Sequence, residues 1–289
     1  MPDSRLAMIA VHAHPDDESS KGGATMAKYA AEGVRVVVAT FTGGERGDVL
    51  NPKLKGEPGI ERDLPARRRR EMAEAARVLG IEQRFLGFVD SGLPEGDPPP
   101  PLPARSFATI EPSVAALPLV ALIRAVKPQV LTTYDPSGGY PHPDHVHTHS
   151  VSMAALEIAA DPLASPELGP PHRVAKVYYD QGISIDRAAA LDKAMAARGL
   201  ESPYRQWLAD RDRRKTPARP VTTQVPVADF FAVRDAALRA HASQVDPDGW
   251  FFLVPRDIER EVWPHEDFEL VSSTVPVVLP ESDLFAGVR

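Results

Sequence analysis

No cysteine occurs among the 289 residues. That excludes disulfides and thiolate nucleophiles, and it leaves any zinc site to His and carboxylate ligands. No apolar run reaches the about 18 residues that a membrane-crossing helix needs, and the N-terminus lacks a basic-then-apolar leader pattern. The expectation is a cytoplasmic protein. Positive charge is not in surplus either: 33 Lys and Arg against 40 Asp and Glu leave a net charge of -7, with a pI near 5.7. That balance argues against a nucleic-acid partner and against attraction to an anionic membrane. No Gly-x-Gly-x-x-Gly fingerprint follows a strand. Gly43-Gly44-Glu45-Arg46-Gly47 lacks the Gly-Lys-Ser/Thr ending of a phosphate loop, so a nucleotide site is excluded.

What is present suits a globular protein with a sizeable core: 43% hydrophobic and 25% charged residues. The length allows one large α/β domain or one domain with an appended lobe, and a homo-oligomer is compatible with it. Short apolar runs at 6–11, 34–41, 84–89, 129–134 and 174–179 read as strands. Between them lie helical patterns at 21–30, closing at Gly33, at 65–79, stopped by Gly80, and at 119–126. A further helix runs from the His-rich segment to about Ala160. This β-α alternation predicts an α/β, Rossmann-like, mostly parallel sheet with helices on both faces over residues 1–180. The remainder, 181–289, is less regular, with helices expected at 185–198, 203–213 and 228–242 and a strand at 268–274. It is expected to be a smaller mixed portion covering the active edge.

The chemistry lies on two strand-to-helix junctions. Ala13-His14-Pro15-Asp16-Asp17-Glu18 follows the first strand, and Tyr140-Pro141-His142-Pro143-Asp144-His145 follows the strand at 129–134. In an open parallel sheet both junctions face the same edge, where ligands bind. Three adjoining carboxylates repel one another unless something positive sits among them, and a divalent metal meets that need. A His and an Asp from the first junction with a His from the second would make three N/O ligands, leaving a position open for water. A lone His-Pro-Asp is commonly only a turn; two such segments on one sheet edge are not. The run Arg67-Arg68-Arg69-Arg70 reads as a solvated helical face partnered by Glu71 and Glu74, with Arg68 the member that would turn into the site. Asp90 ends a strand on the active edge and could meet substrate hydroxyls.

These motifs resemble those of the zinc-dependent de-N-acetylases of the N-acetylglucosaminyl-phosphatidylinositol deacetylase (PIG-L-like) superfamily. The similarity extends over 11–22, 42–51, 87–98, 132–145 and 240–244. The Glu18-Ser19-Ser20-Lys21-Gly22 continuation and the Asp90 loop are similar to the branch of amidases acting on thiol–sugar conjugates, rather than to its sister deacetylases. The resemblance implies one Zn2+ per chain, or another divalent ion, held by His14, Asp17 and His145, with Asp16 as general base. It makes His142 the residue that stabilises developing charge and Tyr140 a mobile second donor. Asp144 lies just behind the ligands, and Lys21, Arg68 and Asp90 hold sugar and inositol hydroxyls. Pro141 departs from the sister deacetylases, which often carry Gly there. The implied partner is a small-molecule thiol–sugar conjugate, a mycothiol S-conjugate, cleaved at its cysteinyl–glucosamine amide to a mercapturic acid and glucosaminyl-inositol. De-N-acetylation of N-acetylglucosaminyl-inositol is the alternative. A non-catalytic sugar- or metal-binding module is disfavoured, because a mere binding site needs no base beside the ligands.

Overall fold

The computed structural model describes residues 5–214 and 218–289. In chain order the first half comprises β1 (Ala7–His12), a single turn α1 (Asp17–Ser20), α2 (Gly23–Ala31), β2 (Arg35–Thr42), α3 (Pro58–Glu61), α4 (Leu64–Leu79) and β3 (Glu82–Phe88). Then follow α5 (Pro112–Ala115), α6 (Leu117–Val126), β4 (Val130–Thr133), α7 (Pro143–Ala160) and β5 (Lys176–Asp180). The chain ends with α8 (Ile185–Ala197), α9 (Tyr204–Arg214), β6 (Thr223–Pro226), α10 (Phe231–Ala240), α11 (Arg256–Val262) and β7 (His265–Ser273). One sheet holds all seven strands in the order β3-β2-β1-β4-β5-β7-β6. The first five are parallel, β7 is antiparallel to β5, and β6 is antiparallel to β7.

The fold is Rossmann-like because the central strands are apolar on both faces. Along β1, Met8 and Ala10 pack with Tyr29 of α2, Met72 of α4 and Phe231 of α10. Ile9 and Val11 pack on the opposite face with Leu119 and Ile123 of α6 and Val151 and Ala155 of α7. A strand buried on both sides reads as a continuous apolar run, as this one does. β3, at the open edge, instead carries the exposed Arg84 and Phe85.

Several elements differ from the sequence expectation. Lys21 does not begin a helix: it caps α1 in extended backbone, and Gly22, at φ 81°, turns the chain into α2. α7 starts at Pro143, so His145 sits in its first turn rather than in a loop. β6 has four residues ending in Pro226, too short for a periodic pattern, and α11 has seven. β6 and β7 lengthen the main sheet, while α8, α9 and the 250–252 turn gather beyond the end of β5. Among the described residues no helix is long and apolar enough to cross a membrane.

The chain moves outward from β1 to β2 and β3, then returns to lay β4 on the other side of β1. That reversal leaves a crevice at the carboxyl ends of β1 and β4, where both sequence motifs emerge.

The C-terminal segment is anchored by charge. Lys176 of β5, fully buried, donates from Nζ to Glu281 Oε1 at 2.5 Å, and Tyr178 Oη donates to Glu281 Oε2 at 2.8 Å. Leu284 and Phe285 then enter the core against Tyr29. Glu281→Ala strands a buried ammonium, so an unfolding free-energy loss of about 3–5 kcal/mol is expected by urea titration. A loss below about 1 kcal/mol, the range of an exposed pair, shows that this ion pair does not anchor the segment.

Candidate functional site

The first junction is a strained turn held by carboxylates. Asp16 adopts φ 105° and ψ -28°, a conformation that non-glycine residues rarely take and that costs on the order of 1–3 kcal/mol. Its N–H donates to Glu18 Oε2 at 2.9 Å, and its carbonyl accepts from the N–H groups of Ser19 and Ser20. Glu18 is fully buried and also accepts from Ser19 Oγ at 2.5 Å and from His241 Nε2 at 2.7 Å. Burial opposes the Glu18 charge, but His241 and these donors outweigh it and hold its pKa at about 2. His241 comes from the end of α10, far along the chain, and is itself fully buried.

Asp17 faces the crevice. Its Oδ2 accepts from the His14 backbone N–H at 3.0 Å and lies 3.7 Å from His14 Nδ1 and 3.4 Å from His145 Nε2. Its Oδ1 accepts from Lys21 Nζ at 2.6 Å. Burial acts to raise the Asp17 pKa, yet His145, Lys21 and His14 hold it well below the carboxylate range. Burial raises the Asp16 pKa from its ordinary value, with Arg68 opposing and Asp17 and Glu18 adding to the rise.

The second junction presents the rings. His142 caps α7, its Nδ1 accepting from the Asp144 N–H at 3.1 Å, which leaves the hydrogen of the neutral ring on Nε2. Burial, then the neighbouring His14 and His145, push its pKa down to about 4. His145 Nδ1 lies 3.0 Å from the Gly138 carbonyl, and its ring stacks on Tyr134 at 4.5 Å. Gly138, at φ 72°, is required there: a Cβ would stand 2.6 Å from His145 Cβ. His14 Nε2 lies 3.2 Å from Asp144 Oδ2 and 3.5 Å from Asp90 Oδ1. The ring centroids of His14, His142 and His145 are 4.6–5.3 Å apart. Tyr140 is 46% exposed at the rim, its ring 4.6 Å from His145.

Donor atoms of His14, Asp17 and His145 lie within 4.8 Å of one another, and all three residues are buried. Each imidazole is oriented by an acceptor behind it, carboxylates for His14 and a carbonyl for His145, as metal-binding histidines are. His145 Nε2 is buried with no hydrogen-bond partner among the described residues. An orphaned nitrogen, a second imidazole and a carboxylate, with no thiol near, fit a divalent metal. A second group, His14, His142 and Asp144, is equally compact. There, however, His142 Nδ1 is taken by the Asp144 N–H, and Asp144 Oδ2 already faces the Ser91 N–H at 2.9 Å and His14.

The remaining expected residues lie around this set. Arg68 is buried, donating to Asp16 Oδ2 at 3.1 Å, the Pro15 carbonyl at 2.8 Å and the Gly44 carbonyl at 3.0 Å. A Cβ on Gly44 would run into its guanidinium. Asp90 is buried behind His14 and accepts from the N–H groups of Gly92 and Arg46. Glu18, among the carboxylates of the first motif, had no assigned role in the sequence reading. His241 falls inside the 240–244 stretch of similarity but carries no role there, and Asp180, a buried carboxylate at the end of β5, lies outside every motif, with no spacing to tie it to them.

Comparison with known proteins agrees with this geometry. The family described as PIG-L: GlcNAc-PI de-N-acetylase matches residues 9–156. A mycothiol S-conjugate amidase of Streptomyces coelicolor is 56% identical over 287 residues, covering 99% of this chain and 98% of that protein. A 1D-myo-inositol 2-acetamido-2-deoxy-alpha-D-glucopyranoside deacetylase of Streptomyces avermitilis is 40% identical over 298 residues, covering 100% of this chain and 98% of that protein. Among solved structures, the N,N'-diacetylchitobiose deacetylase of Pyrococcus horikoshii superposes with a TM-score of 0.60 at 21% identity, covering 93% of this chain and 84% of that one, a likeness of fold. With two junction motifs gathered at one crevice and relatives matched over nearly their whole length, the chain belongs to the PIG-L (GlcNAc-PI de-N-acetylase) family and is a hydrolase acting on amides.

Proposed function

We propose that this chain is a zinc-dependent amidase that cleaves mycothiol S-conjugates between the cysteinyl carbonyl and the glucosamine nitrogen. The products are an S-substituted N-acetylcysteine, a mercapturic acid, and glucosaminyl-inositol. The observation that carries this reading is the 56% identity, over nearly the whole chain, to a protein named for that activity, against 40% to the deacetylase. The full-length match to that deacetylase favours one second reading, de-N-acetylation of N-acetylglucosaminyl-inositol by the same residues.

In this reading His14, Asp17 and His145 hold one zinc, or another divalent ion in its place. When bound, such an ion polarises an amide carbonyl and lowers the pKa of a water from about 16 towards roughly 7. Asp16, beside the ligands and with a raised pKa, takes the water's proton and returns it to the leaving nitrogen. His142 is neutral at working pH and donates from Nε2 to the oxygen on which charge develops, a contribution of about 3 kcal/mol. Tyr140, exposed at the rim, supplies a second donor to that oxygen as its loop closes. The sugar and inositol hydroxyls fall to Lys21, Arg68 and Asp90. Each of these also steadies a member of the set: Lys21 holds Asp17, Arg68 holds Asp16, and Asp90 and Asp144 back His14.

Purified protein assayed side by side is expected to hydrolyse a bimane conjugate of mycothiol with kcat/KM at least about tenfold above that for N-acetylglucosaminyl-inositol. Chelation should abolish both reactions and zinc should restore them. The opposite substrate order assigns the chain to the deacetylases.

Asp16→Asn should remove most turnover while metal content, read by elemental analysis, stays near one ion per chain. His145→Ala should lose the ion as well. An Asp16→Asn protein without metal exchanges the roles given to the two aspartates.

Arg68 lowers the Asp16 pKa, so Arg68→Gln raises it. A base works when deprotonated, and the acid limb of the kcat/KM profile should therefore move to higher pH. A lower kcat/KM with an unmoved limb would restrict Arg68 to substrate contact.

A further inference from the structure

A cavity of about 560 Å³ opens beside Lys21 and Tyr140, outside the three candidate ligands. Asp135 and Asp180, just past the ends of β4 and at the end of β5, form one side; Trp207 of α9 and the Trp250–Phe251 turn form the other. Its volume falls in the range of sites for drug-sized molecules, far more than the methyl group on the acyl side of an acetamide requires. Trp250 and Phe251 are 41% and 39% exposed, and this is a large apolar surface to leave next to a polar crevice. The rings are held by their surroundings: Tyr204 meets Trp250 edge-on at 5.2 Å, and the Arg211 guanidinium lies over Trp207 at 5.0 Å.

Asp180 supplies an independent observation. It is 7% exposed, it lines the same cavity, and its buried Oδ2 has no hydrogen-bond partner among the described residues. A buried acceptor without a donor is unfavourable, and a ligand N–H would satisfy it. The cavity also lies on a definite side of the crevice. Lys21, bonded to Asp17, stands at the boundary between the ligand set and the cavity, within reach of either half of a substrate, whereas the Gly43–Gly47 loop and Asp90 lie at the ends of β2 and β3 on the other side. An amide centred on the ligand set therefore has one half directed to the aromatic cavity and the other to the polar loops.

We propose that this cavity is the acyl-side subsite: it takes the apolar or aromatic group carried on the substrate's sulfur against Trp207, Trp250 and Phe251, while Asp180 accepts a hydrogen bond from the acetamido N–H of the cysteinyl unit. The proposal rests on the amidase reading and names which residues select its S-substituent.

The probe is the acyl-side product itself, S-bimanyl-N-acetylcysteine, titrated by fluorescence into the metal-loaded full chain, with kinetics on S-bimanyl and S-methyl conjugates in parallel. Trp250→Ala and Trp207→Ala should each weaken probe binding and raise KM for the bimane conjugate by about tenfold, leaving kcat and the S-methyl conjugate within about twofold. Asp180→Asn should weaken binding of S-bimanyl- and S-methyl-N-acetylcysteine alike, since it reads the acetamide and not the sulfur substituent. Trp250→Leu and Phe251→Ala, checked by thermal melting, serve if an alanine variant folds poorly. Probe binding that needs the tryptophans, in a protein that hydrolyses no conjugate, leaves the subsite standing and removes the amidase reading. Conjugate hydrolysis with binding and KM indifferent to Trp207 and Trp250 overturns the subsite and leaves the amidase. A wild-type chain that neither binds the probe nor cleaves a conjugate overturns both.

Discussion

Everything at the crevice depends on the backbone of Asp16 being kept where an L-residue does not readily go. At φ 105° the turn is unfavourable by itself, and the Glu18 carboxylate offsets it by accepting the Asp16 N–H. Glu18 in turn is a buried charge, tolerable because His241, Ser19 and the Asp16 N–H meet it with donors. The turn sends Asp16 and Asp17 in different directions: one towards Arg68, the other towards the imidazoles. Two adjacent carboxylates thereby acquire opposite pKa perturbations, one raised and one depressed, the kind of separation by which neighbouring carboxylates can take different roles. The strain sits at the site and is opposed by Glu18, which His241 at the end of α10 supports from outside it.

The same division between a site and its supports recurs in the rings. The nitrogen that each histidine offers to the crevice is selected by the acceptor at its other nitrogen: Asp144 and Asp90 for His14, and the Gly138 carbonyl for His145. For His142 the neighbouring donor is the Asp144 N–H at the start of α7, which leaves Nε2–H outward. Asp144 therefore takes part twice, through its backbone to one ring and through its carboxylate to another. A side-chain substitution there would remove the carboxylate behind His14 while keeping the backbone N–H that faces His142.

Amidases and deacetylases face one chemical problem, a poor amide electrophile, and the candidate ligands His14, Asp17 and His145 are gathered at the β1 and β4 ends. What distinguishes substrates must lie in the walls. Here those walls come largely from residues after β5, where α8, α9 and the 250–252 turn surround the cavity. The part of the chain with the least regular sequence is therefore the part that lines this cavity, as expected of loops carried by a rigid sheet.

The sequence by itself determined the sheet and the ligand candidates. Apolar runs such as Ile9-Ala10-Val11 and Val36-Val37-Val38, rich in β-branched residues and flanked by polar turns, read as strands buried on both faces, and they are. His-Pro-Asp-Asp and His-Pro-Asp-His declare their chemistry because proline and the short polar residues set the turn locally. What lies far apart in the chain was decided only by the tertiary structure. Glu18 meets His241 across 223 positions, and Lys176 meets Glu281 across 105, pairings that no local periodicity encodes. β6 and α11 were too short for their patterns to stand out, and β7 joins the main sheet only because β5 offers it an edge. Asp180 looked like any residue at a strand end until burial removed its solvent and left one oxygen without a partner among the described residues. Local propensity and side-chain chemistry are written residue by residue; burial and long-range pairing arise only when the chain closes on itself.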